Sequence, residues 1–150
     1  EDQSITDLLT RYAPDVSVDD LAGLAALADG SIGQALVFAG NGGLEIYDAA
    51  NELLAHLPKL DIGALHKLGD KLARDRSGEG FRTLGIILLR WLADSAKSAV
   101  RSGAGAARWA ELWSETNGLF REAESVNLDR KQITLNAFLA IQTAAQNGRI

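Results

Sequence analysis

Apolar residues recur along this chain at three- and four-residue steps, the period of an amphipathic helix, with turn signals between the runs. Ile5, Leu8, Leu9 and Tyr12 make a short first run that Pro14 closes, because a proline disfavours the α conformation in the residue before it. Ser17 and Asp20 resemble a capping box, and Leu21, Leu24, Ala25, Leu27 and Ala28 carry a second helix to about residue 29. Gly30 suits the left-handed position beyond a helix end, and Ser31 suits the start of another helix. The Ala-Leu-Val-Phe run after it would also fit a buried strand. The preceding cap and the spacing of Ile32, Ala35, Leu36 and Ala39 favour a short helix.

The four residues Gly-Asn-Gly-Gly at 40–43 are the most flexible in the chain, and we place a division between two units there. Five longer helical patterns follow, over 44–57, 62–74, 80–102, 106–126 and 128–146. Pro58 ends the first, Asp61 and the Asn127/Asp129 pair provide N-terminal starts, and Arg-Ser-Gly-Glu-Gly and Arg-Ser-Gly-Ala-Gly mark two of the joints. The expectation is an all-α chain without a repeat of fixed period.

The 80–102 pattern differs from the others. Phe81, Leu84, Leu88, Trp91 or Leu92, Ser95 and Ala99 form one face, and Ile86, Ile87 and Leu89 extend the apolar surface around the other side. A helix of this kind either runs through the middle of a bundle or docks its outer face on another chain. In the next helix Trp109, Leu112, Trp113, Thr116, Phe120 and Ala123 read as a single core-facing stripe.

Composition removes whole classes of function. The 150 residues, 47% apolar and 23% charged, can fold around a real core, and the formal net charge of -5 argues against a broad nucleic-acid surface. With no cysteine there is neither disulfide nor thiolate chemistry, which fits a cytoplasmic location. No run approaches the roughly 18 apolar residues of a membrane span. Methionine is also absent, so the chain reads as part of a longer protein.

Candidate chemistry is sparse. His56 and His66 have no metal-type partner, and Asp70, four residues after His66, reads as a solvated ion-pair neighbour. Asp7, Asp15, Asp19, Asp20 and Asp29 read as caps and solvent faces. The glycine-rich segment at 40–43 lacks the lysine and hydroxyl of a phosphate-binding loop, and Arg101, Arg108, Arg121, Arg130 and Lys131 are interleaved with acids. No catalytic residue, cofactor or metal is assigned, and the chain reads as a non-enzyme.

Four segments, LADGSIGQAL, GGLEIYDAANELLAHLPKLD, FRTLGIILLRWLA and ESVNLDRKQITLNAFLAI, together resemble the C-terminal part of the bacterial DNA polymerase III delta-prime family, in its alphaproteobacterial form. The most diagnostic pieces are Gly-Ser-x-Gly-x-Ala-Leu and Asn-Leu-Asp-Arg-Lys-Gln, and the resemblance spans essentially the whole chain. Delta-prime is a non-hydrolysing subunit of the sliding-clamp loader within the DNA-polymerising holoenzyme. The resemblance implies a helical lid over residues 1–40, the end of an AAA+ module, then a five-helix collar over 43–150 that packs against the gamma/tau and delta types of subunit. No direct contact with nucleic acid or membrane is implied.

In ATP-hydrolysing relatives the element matching Gly30, Ser31, Gly33, Ala35 and Leu36 carries a sensor-2 arginine. Here that position is Gly33, so no phosphate contact is expected from it. Ile86, Ile87, Leu89 and Arg90 are the candidate subunit contacts. The competing readings are an unrelated helical adaptor that binds a partner helix or peptide in a groove, and a small-molecule or enzymatic helical domain, which would need convergent polar groups.

Overall fold

The computed structural model describes residues 7, 11, 17, 23–25, 35, 42–126 and 128–147. Five helices occupy the second part of the chain: α1 (Gly43–Ala55), α2 (Ile62–Arg74), α3 (Glu79–Ser102), α4 (Ala106–Val126) and α5 (Arg130–Asn147). No strand occurs among the described residues, and the protein is all-α. Asp7, Arg11, Gly23, Leu24, Ala25 and Ala35 are also helical, and the last three of these are fully buried. Gly30, Ser31, Gly33 and Leu36 lie outside the described residues.

Local chemistry accounts for the helix ends. Asp61 Oδ1 accepts from the Ala64 amide at 3.0 Å and starts α2, and Asp129 Oδ1 accepts from the Gln132 amide at 3.2 Å and starts α5. The last helix therefore begins two residues after its apolar pattern does. The first ends at Ala55 rather than 57, because Pro58 pulls its neighbour out of the α region and the Leu57 amide bonds to the Leu54 carbonyl in a tighter turn. At the end of α3, Gly103 adopts a φ of 79°. The amides of Gly103 and Ala104 close back on the carbonyls of Val100 and Ala99, the double bond of a Schellman cap.

The principal neighbours form a closed circuit: α1 packs on α2, α2 on α5, α5 on α4, α4 on α3, and α3 on α1. Ile46, Leu53, Leu65, Leu72, Phe81, Leu84, Leu88, Leu92, Leu112, Phe138 and Ile141 meet inside this ring as one core. Each fully buried leucine or phenylalanine contributes on the order of 1.5–3 kcal/mol by leaving water. Among the described helices α3 thus forms part of the wall, and Ile86 and Leu89 on its outward side are only half-buried.

Candidate interaction surface

Helices α3 and α4 run antiparallel and make the most extensive helix pair among the described residues. Phe81 stacks on Phe120 with ring centroids 4.5 Å apart, and Trp91 meets Trp109 edge-on at 5.5 Å. The close approach depends on Gly85, where an added Cβ would lie 2.7 Å from the Phe120 ring.

On the outer side of this pair Arg82, Gly85, Ile86, Leu89, Phe120, Arg121 and Glu124 line a cleft of about 210 Å³ with predominantly apolar walls. The ion pair from Arg82 Nε to Glu124 Oε1, at 3.0 Å, bridges the two helices at its edge. Two of the four sequence-derived contact positions, Ile86 and Leu89, line this cleft. Ile86 and Leu89 are half-buried, and Arg90 is exposed and pairs with Asp94 at 3.4 Å. Ile87 does not belong with them. It is 3% exposed and lies in the core, because it sits about 100° around the helix from Ile86, toward α1.

The structure also corrects the reading of Trp113. Leu112, Thr116, Phe120 and Ala123 are buried as expected, but Trp113 is 37% exposed at the margin of the stripe. It stands two turns before Phe120, on the same side of α4 as the cleft. Val100, at the far end of α3, is 69% exposed.

A second, larger opening of about 630 Å³ lies at the other end of the bundle, lined by Trp91 and Trp109, by Ser95, Ser98 and Ser102 along α3, and by Asn147. Its polar groups are small neutral side chains and include no cation or carboxylate.

The charged residues of the Asn-Leu-Asp-Arg-Lys-Gln segment have structural partners. Arg130 Nη1 donates to the Asp75 carbonyl at 2.7 Å, and Lys131 Nζ donates to Asp70 Oδ1 at 2.7 Å, so both tie α5 to α2. The hydrogen bond from Lys131 holds the Asp70 carboxyl below its ordinary range. Asp70 therefore bonds across helices, a partner invisible in the His66 spacing. Glu45, paired with Lys71, is lowered in the same way.

The Asp75–Gly78 joint carries more than its sequence suggested. Asp75 accepts from the Ser77 amide and hydroxyl and from the Gly80 amide, and the Ser77 hydroxyl accepts from the Glu79 amide at 3.2 Å. These bonds satisfy the first amides of α3, whose N-cap residue Gly78 has no side chain to cap them. The Asp75 carboxyl is lowered first by the Ser77 hydroxyl, then by the Gly80 amide. The available signal was an aspartate and a serine just ahead of the glycine.

His56 is exposed, with Nδ1 2.8 Å from the Glu52 carbonyl, and His66 is exposed. Among the described residues no group of histidine and carboxylate side chains is arranged to hold a metal, and no helix is long and apolar enough to cross a membrane. Comparison with protein-family models, curated proteins and solved structures finds no match.

Proposed function

We propose that this chain is a non-catalytic assembly domain of a bacterial sliding-clamp loader, the collar and part of the lid of a delta-prime-type subunit that acts in the cytoplasm during DNA replication. Its role is to pack against gamma/tau and delta types of subunit and hold the loader ring together. The observation that carries the reading is the outward face of α3, where Ile86, Leu89 and the cleft beside Phe120 leave apolar surface that the five-helix ring does not cover. The resemblance in the order and spacing of four segments supplies the class of partner. Burial of that surface by another subunit would remove apolar area from water with no need for a cofactor.

The same cleft also suits a helical adaptor that takes a partner peptide outside any clamp loader. The experiment that separates the two is gel filtration with light scattering of the whole subunit, alone and mixed with the gamma/tau and delta types from the same organism. A species of summed mass is expected. Elution of every mixture as unchanged components at tens of micromolar would overturn the clamp-loader reading and favour the adaptor.

A further inference from the structure

The outward face of α3 has a more specific pattern than an apolar patch. Ile86, Leu89, Ala93, Ala96 and Val100 follow one another at alternating steps of three and four residues, the a/d spacing of a coiled-coil seam. The first four are half-buried, Val100 is 69% exposed, and all five lie outside the main core cluster. The seam runs for roughly 20 Å at the helical rise of 1.5 Å per residue. Its middle is built from two alanines, which allow another backbone close approach. The cleft at Ile86, Leu89 and Phe120 provides a place at one end for a single large apolar anchor.

Charge narrows the choice of occupant. Arg90 and Lys97 stand one residue beyond Leu89 and Ala96, the flanking position where coiled coils place their pairing charges. Around the whole face Arg82, Arg90, Lys97, Arg101 and Arg121 are accompanied by three carboxylates, Glu79, Asp94 and Glu124, the last two ion-paired to cations of the same set. The surface is therefore locally basic on a chain whose net charge is -5. A second copy fits poorly, because antiparallel pairing of two such seams would set Arg90 and Lys97 against their own kind.

We propose that the α3 face, with the cleft it shares with α4, is the docking site for one amphipathic helix of a neighbouring clamp-loader subunit, with apolar residues at a/d spacing and acidic residues on its flank. This rests on the assembly role proposed above. The seam supplies the apolar contact, the cleft takes the anchor, and the basic flank sets orientation and speeds encounter.

The test is the affinity of the whole subunit for the gamma/tau and delta types, measured for the unaltered protein, for Leu89→Glu and for Arg90→Glu/Lys97→Glu. Circular dichroism confirms that each variant is folded. Leu89→Glu is expected to weaken assembly by about tenfold or more. The double reversal, at exposed positions outside the core, removes the Arg90–Asp94 pair and is expected to weaken it by about three- to tenfold at low salt and by less at high salt. If the unaltered subunit assembles and both variants assemble equally well, the α3 site is wrong while the assembly role stands. If the double reversal strengthens assembly, the partner flank is basic and the proposed occupant is overturned. A concentration-dependent dimer of the unaltered protein alone, lost in Leu89→Glu, would assign the face to a second copy instead. Failure of the unaltered subunit to join any partner removes both the role and the site.

Discussion

Gly85 and Gly118 are both helical glycines, one on α3 and one on α4, and the space around them differs. At Gly85 an added Cβ would fall 2.7 Å from Phe120, whose ring is held by its stack on Phe81. At Gly118 nothing lies within 4 Å. The intrinsic helical gain from glycine to alanine is the same at both sites, about 1 kcal/mol. Overpacking of a fixed ring costs about 1–3 kcal/mol and outweighs that gain at Gly85. Gly85→Ala is therefore expected to destabilise by up to about 2 kcal/mol and Gly118→Ala to stabilise by up to about 1 kcal/mol, as measured by urea denaturation. Equal shifts in the two variants would show that Phe120 yields freely. Sequence alone could not show the difference in space around these glycines, since the ring that crowds Gly85 comes from another helix.

At the scale of elements, the joint between α2 and α3 is held by one carboxylate. Asp75 receives bonds from Ser77 and Gly80, and Arg130 of α5 donates to its backbone carbonyl. Asparagine keeps only one acceptor oxygen, so either the Ser77 bonds or the Gly80 bond is lost, and Asp75→Asn is expected to be less stable than the unaltered protein at neutral pH by about 1 kcal/mol. The pH dependence has a definite sign. Because the folded Asp75 carboxyl is lowered from its ordinary value, its contribution is fully present above the unfolded value of 3.8 and is lost as pH falls through the folded value. The stability gap between the two proteins should therefore be constant from pH 7 to about pH 5 and shrink below about pH 4. A gap that widens on acidification would contradict the assigned bonds. The helix limits themselves were legible from pattern and caps, to within two residues at each end. The partners of Asp70, Asp75, Arg130 and Lys131 were not, because each crosses between elements or depends on a local loop conformation.

Across the whole molecule, a ring of five helices around one core should unfold as a unit. Leu88, at 0% exposure in the middle of α3, contacts that common core, and Leu88→Ala is expected to cost about 2–5 kcal/mol. The tryptophans report on α3 and α4 alone, whereas far-UV circular dichroism reports on every helix. Both signals should shift together in the variant, with one midpoint. Separate midpoints would mean that the α3–α4 pair does not melt together with the rest of the helical structure.

The amphipathic period, the prolines and the capping aspartates were enough to identify an all-α chain and its five long helices, because those signals act within a few residues of one another. The excess apolar surface of the third long helix was also visible, since it needs only the helical repeat. Which side of that helix would be covered was decided by the order in which the five helices close their ring. That order turned Ile87 inward, left Ile86 and Leu89 beside an open cleft, and moved Trp113 to the margin. Burial is a property of what stands opposite a residue, and what stands opposite is set by contacts between segments far apart in the chain.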